Sequence, residues 1–399
     1  MNESILNSFF PIESKRNHSS SASFIGFCMA MFDTGLFSGY FFWIVFADLV
    51  KAHTKSITLL TLLVTGVVTT GFGLSDLIQS KPLYEGLCCI LRIINGFLGS
   101  AIWGPGLTLV HSFAHNEKVA NKLITLTNTC TFLGYITAPF FGTILYVNFG
   151  YVAPFATLGG LEILVCFVLY FYLLGKSRPS SVKDKVIKKR KPDSTIKAII
   201  NSEVFLQTYV TIKTSMLIGF IEATLSLYLN TTFAVSVSNI GIIISIGFVL
   251  SFVLSVGCVY INEWFYKETC LASQLVYFCA VAIFSLSFHF SKKIGAVFAI
   301  SGFMIHCMGR SFFCGANTIV LKKIFLLRCE NCPEWSAYAS FILAAMAFSF
   351  GRLLGYSFIS GILVQILGYH TVVYFFIVTL SLSFISQFIV CYKLKKKKF

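Results

Sequence analysis

Eleven apolar stretches follow one another along the chain, at residues 22–46, 57–77, 86–113, 122–147, 152–174, 204–230, 238–261, 270–290, 294–321, 337–364 and 370–392. Each is close to or above the roughly 20 residues that an α-helix needs to cross a bilayer. Inside lipid every backbone N–H and C=O must be bonded within its own segment or within a closed barrel. The period-two alternation of a membrane barrel is absent, so the stretches read as helices. The sequence therefore predicts an all-α integral membrane protein with about eleven transmembrane helices. Composition agrees: 56% of the residues are hydrophobic and only 12% are charged. A soluble domain of this length could not bury that much apolar surface.

The formal net charge of +15 invites a nucleic-acid reading, but its distribution argues for a membrane. Lys and Arg concentrate at 176–197, between the fifth and sixth stretches, and at 393–398, after the last one. Such clusters mark cytoplasmic loops and can touch anionic lipid. Six spans separate the two clusters, so both fall on one side. Five spans precede the first cluster, which puts the N-terminus on the other side. Only Lys15, Arg16, Lys81, Lys292 and Lys293 then lie outside. The expected organisation is a non-cytoplasmic segment 1–21, an N-terminal lobe 22–174, a basic cytoplasmic linker 175–203, a C-terminal lobe 204–392 and a basic cytoplasmic tail 393–399. The tripeptides Asn17-His18-Ser19 and Asn230-Thr231-Thr232 are glycosylation sequons on the outer side.

A trace of internal repetition is present. Residues 142–151 and 360–369 share Ile144/Ile362, Leu145/Leu363, Gly150/Gly368 and Tyr151/Tyr369, and both segments end a span at a very short outer turn. Two parallel repeats of six spans form a familiar carrier design; five spans followed by six leaves the first half one helix short. Within the fourth stretch, Gly134, Ala138 and Gly142 recur at four-residue spacing and form one ridge, beside which Pro139 bends the helix. A ridge of small residues lets another backbone approach closely, and it also occurs as an ordinary packing face of membrane helices.

The segment from Gly134 to Tyr146, followed by Phe149-Gly150-Tyr151-Val152-Ala153-Pro154-Phe155, resembles the antiporter motif of the major facilitator superfamily. More narrowly, it resembles the vesicular amine and polyamine transporter branch of the drug–proton antiporters. Phe9-Phe10-Pro11-Ile12-Glu13, followed by Gly26 and Phe27, is similar to the loop after the first family helix and the entry to the second. The run from Arg92 to Ala101 is similar to the arginine motif of the fourth family helix, and Phe220-Ile221-Glu222-Ala223-Thr224-Leu225 to the acidic motif of the seventh. The likeness extends from Phe9 to the tail. It implies a two-lobed helical bundle working by alternating access. The first family helix has no counterpart, and with it an important carboxylate of the amine transporters is missing. Residues 47–55 stand where a Gly-x-x-x-Asp-Arg-x-Gly loop is expected and do not match it. Ala138 and Thr143 replace glycines, Ala223 replaces a proline found in many relatives, and Arg352 and Tyr356 occupy the second-repeat positions of Gly134 and Ala138.

Ionisable residues within spans carry the chemistry, because each costs roughly 2.5–3.5 kcal/mol to place in a bilayer on insertion scales. Glu222 is nearly central in its span. A carboxyl taken out of water can hold a proton and exchange it for a cation; a protonated acid bonded to a neighbouring helix is the structural alternative. Asp33 is also central, and either compensates for the missing helix or pairs with an Arg or Lys. Arg92 carries the proton-coupling role that the resemblance implies, or is a hydrogen-bonded structural arginine. Arg310 and Arg352 lie deep and require partners. Tyr40, Trp43, Trp103, Tyr228 and Tyr260 are candidate walls for an organic cation, among many rings that pack helices or meet lipid.

The expected function is proton-coupled antiport of small organic cations, amines or polyamines, in a vesicular or plasma membrane. The proton gradient is the energy source, and neither a cofactor nor a metal is expected. Cys329-Glu330-Asn331-Cys332 has metal spacing but no second pair. No phosphate-binding loop or hydrolase elbow is present, so an enzyme or an ATP-driven pump is not expected. A shortened, non-transporting relative with a structural or regulatory role is the alternative.

Overall fold

The computed structural model describes residues 4–7, 9–112, 117–174, 201–327 and 333–396. Among them there is no β-strand, and eleven helical spans are long and apolar enough to cross a membrane. After a short 3₁₀ turn, Ile5–Asn7, the helices are α1 (Phe10–Asn17), α2 (Ala22–Val45), α3 (Ala47–Leu74), α4 (Lys81–Ser112), α5 (Glu117–Phe149) and α6 (Val152–Leu174). The second half holds α7 (Ser202–Phe233), α8 (Val237–Leu286), α9 (Lys292–Leu326), α10 (Pro333–Leu353) and α11 (Tyr369–Lys396). Helix α8 carries two spans, Val237–Asn262 and Trp264–Leu286, and breaks at Phe265. Helix α10 continues as a π-helix over Leu354–Leu363 and ends in a last α turn, Val364–Leu367.

Local sequence explains the ends. The side chains of Ser21, Asn201 and Ser236 accept from the backbone N–H groups of Phe24, Glu203 and Asn239 at 3.1, 3.1 and 3.4 Å, satisfying donors that the first turn leaves open. The cap at Asn201 moves the start of α7 to Ser202, two residues into the expected linker. The basic residues 176–197 lie outside the described residues, and α11 runs on to Lys396, well into the expected tail. Residues 47–55, read as a loop, are the first turns of α3, which departs from helical geometry at His53. The two short turns of the repeat both require a left-handed residue and use glycine there: φ is +84° at Gly150 and +80° at Gly368.

Helices α2–α6 and α7–α11 form two lobes. They meet along two seams, α5 with the first arm of α8 and α2 with α10. The larger buried apolar cluster fills the C-terminal lobe and takes in Phe132 and Tyr135 of α5. A second cluster joins Ile5, Leu6, Phe9 and Phe10 to Phe72, Ala138, Tyr151, Phe155 and Tyr356. The chain before α2 is thus folded into the end of the bundle where the α5–α6 turn lies. Phe9 stacks on Tyr146 at 4.8 Å between ring centroids, the Tyr146 hydroxyl donates to Glu13, and His18 Nε2 lies 3.0 Å from Asp76 Oδ1.

Candidate functional site

Four buried charges converge between the lobes. Glu222 on α7 and Arg352 on α10 are brought together where these two helices cross, with glycine on both sides. A methyl group on Gly219 would lie 2.6 Å from the Arg352 carbonyl oxygen, and one on Gly355 would run into the carbonyl of Met216. Small residues at the crossing let the backbones touch, and the long side chains one turn away then share one depth.

Glu222 Oε1 accepts from Arg310 Nη1 of α9. Glu222 Oε2 accepts from the Tyr356 hydroxyl and lies 3.1 Å from Arg352 Nη2. The same Nη2 donates to the Tyr356 oxygen and lies 3.6 Å from Asp33 Oδ2 of α2. The side chains of Asp33, Glu222, Arg310 and Arg352 are all 4% exposed or less. Charges so far from water persist only when paired and hydrogen-bonded.

Rings complete the setting. The Arg310 guanidinium lies 4.3 Å from the centroid of Tyr135 on α5 and 5.4 Å from that of Phe248 on α8. Arg352 lies 5.1 Å from the Tyr356 ring and 5.7 Å from the Phe348 ring. Each arginine belongs to the C-terminal lobe and reaches a group of the N-terminal lobe, Tyr135 in one case and Asp33 in the other. Both lobe seams therefore run through Glu222.

Of the residues singled out from the sequence, Glu222 and Asp33 meet at one nitrogen, Arg352 Nη2. Asp33 is paired with an arginine, one of its two expected roles, and Arg310 and Arg352 have found their partners. Glu222 is not a solitary desolvated acid, since two guanidinium groups bracket it. Arg92 lies on α4 with its guanidinium 4.6 Å from the Phe32 ring, beside Asp33 in sequence, and 6.0 Å from that of Phe72. In the same lobe Asn95 donates to Thr69, which donates to Glu162, each at 3.3 Å. The ridge of α5 lies toward the α5–α6 turn. Gly134 O accepts from Ser4 at 3.5 Å, Ala138 is buried with Phe9, and a methyl group on Gly142 would meet Ile5 at 2.8 Å. Pro139 sits within α5 between these contacts.

Of the candidate walls, Tyr40 is buried beside Phe32, Leu36 and Ile342. Trp43 donates to Ser100 at 2.8 Å, Tyr228 stacks on Tyr369 at 4.6 Å, and Tyr260 lies under Lys122 at 5.8 Å. The Trp103 side chain and Cys329 to Cys332 lie outside the described residues. Tyr135, Phe248, Phe348 and Tyr356 lie at Arg310 and Arg352. Only Tyr356 carried a sequence signal, as a bulky residue at the repeat position of Ala138.

Two helical lobes closed over a buried ion-pair cluster define a multi-pass membrane protein with a two-lobed carrier fold. The Major Facilitator Superfamily model matches residues 1–324, and the chain belongs to that superfamily. It is similar to the "MFS-type transporter SLC18B1" of Mus musculus, 30% identical over 261 residues, which is 64% of this chain and 52% of the relative. To the protein of that name from Homo sapiens it is 29% identical over 259 residues, 63% of this chain and 52% of the relative. The matched region thus spans about half the length of these curated relatives. A crystal structure of the nucleoside transporter NupG superposes with a TM-score of 0.68 at 14% identity, over 97% of each chain. At that identity the likeness concerns the fold.

Proposed function

We propose that this chain is a secondary active transporter that exchanges protons for small organic cations, amines or polyamines, by alternating access. The observation that carries the reading is the position of Glu222, with arginines on two sides at the junction of both lobe seams. Neutralising this carboxylate removes the charge that holds Arg310 and Arg352 together. Two guanidinium groups then repel each other in a medium of low dielectric, where such forces are several-fold stronger than in water. A proton on Glu222 has this effect, and a cationic substrate that takes an arginine's place beside it has the same effect. The two events exclude each other, which is the requirement for exchange rather than co-transport. The proton gradient supplies the energy, and the basic linker and tail face the cytosol in a vesicular or plasma membrane.

The test is uptake of a labelled amine or polyamine into proteoliposomes with an imposed pH gradient. The expected outcome is uptake that collapses with the gradient and falls to background in Glu222→Gln. Uptake that survives this substitution unchanged removes Glu222 from the mechanism.

A further inference from the structure

We infer that the space between Asp33 and Glu222 is a binding subsite for a guanidinium or primary ammonium group, and that Arg352 occupies it in this conformation as a tethered stand-in for the ligand. This rests on the reading of the site as a cation exchanger and names the group the exchanger would hold. Asp33 Oδ2 and Glu222 Oε2 address the same atom, Arg352 Nη2, at 3.6 and 3.1 Å. One carboxylate comes from each lobe. A nitrogen cation at this point therefore bridges the lobes through two oppositely charged groups. The Tyr356 hydroxyl accepts from that nitrogen and donates to Glu222, so a neutral oxygen also faces the position. The rings of Tyr356 and Phe348 lie 5.1 and 5.7 Å from the guanidinium carbon. Two carboxylates, a hydroxyl oxygen and aromatic faces are the components of a cation site in a dry environment.

The occupant comes from a helix with unusual geometry. Arg352 is the last residue but one before the π-helical stretch Leu354–Leu363, and Tyr356 lies within it. π-helical insertions are frequent at functional positions, and they offset the side chains that follow from the regular helical face. Here the offset places Tyr356 against Glu222 and leaves Arg352 between the acids. Withdrawal of Arg352 leaves both carboxylates facing the position it held. An incoming ligand cation and the tethered cation thus compete for one place, and the chain is kept closed across the α2–α10 seam while either is present.

The test is thermal melting of the purified full chain in detergent, with methylguanidinium as the probe and tetramethylammonium as a bulky control, both at millimolar concentration. Ligand binding to the folded form raises the melting temperature. The expected result is that Arg352→Ala melts lower than the parent and is raised by methylguanidinium but not by tetramethylammonium. The parent and Arg352→Lys, which keep a tethered cation, should not respond. The double variant Arg352→Ala with Asp33→Asn should lose the response. Equal responses of the parent and Arg352→Ala, or a response that persists in the double variant, overturn the proposal. If Arg352→Ala folds only with methylguanidinium present during purification, that is the same result in another form. Failure to fold in either medium, together with failure of Arg352→Lys, assigns the arginine to packing and also overturns it. The measurement needs no transport. A chain that binds methylguanidinium but moves no amine keeps the subsite and loses the exchanger, whereas gradient-driven uptake without selective binding keeps the exchanger and loses the subsite.

Discussion

Helices α5 and α10 hold matching places in the two lobes and are used in opposite ways. Gly134, Ala138 and Gly142 on α5 correspond to Arg352, Tyr356 and Ser360 on α10, and each helix leads to a left-handed glycine, Gly150 or Gly368. On α5 the ridge is bare, and other chain fills it: Ser4 bonds to Gly134, and Ile5 and Phe9 lie over Gly142. On α10 the ridge fills its own groove with side chains that reach Glu222 and Asp33. The first helix contributes shape and the second contributes charge. A repeat-related position thus fixes where a contact is made but not which kind of force makes it.

Three substitutions can break or sharpen this contrast, and their expected sizes fall in the order given. Arg352→Leu removes the cation shared by Asp33 and Glu222. It should destabilise the folded chain by about 3–5 kcal/mol, the usual cost of leaving a buried ion pair with one member. A melting temperature close to that of the parent would show that the α10 ridge works by packing, as α5 does. Tyr356→Phe keeps the ring and deletes a hydroxyl bonded to both an arginine and a carboxylate. A loss of about 1.5–3 kcal/mol is expected for hydrogen bonding to charged groups. A double-mutant cycle with Glu222→Gln should show strong coupling, and additive losses would separate the hydroxyl from the acid.

Gly142→Ala should cost least, about 1 kcal/mol, at the low end of over-packing, because the new methyl group meets Ile5. Combining it with Ile5→Ala should recover part of that loss in the same melts. Simple addition of the two losses would mean that the stretch before α2 does not seat on the ridge. Adding Gly142→Ala to Arg352→Ala should leave the response of that variant to methylguanidinium unchanged.

The spans, their order and the short turns at Gly150 and Gly368 could be read from residues 22–392 because apolar length and turn residues are local properties. The ridge at Gly134, Ala138 and Gly142 was equally legible, although the segment that covers it was not. The charges were legible as a list. Glu222, Asp33, Arg310 and Arg352 each stood out as a cost within an apolar span, and one of the two readings of Asp33 was a pairing with a basic residue. Their pairing was not legible, since nothing near Glu222 in sequence distinguishes Arg310 or Arg352 from Arg92 as its partner. Tyr135 and Phe248 carried no signal, being two aromatic residues in a chain full of them.

By itself the sequence determined a membrane chain of two helical halves, with breaks and turns in set places, because lipid requires backbone bonds to close within each segment. The tertiary structure alone decided that one arginine nitrogen stands between two carboxylates from opposite lobes. That outcome depends on how closely α7 and α10 approach at Gly219 and Gly355 and on how the π-helical stretch turns Tyr356. Electrostatic partners are chosen by distance, and distance across a bundle is set by packing.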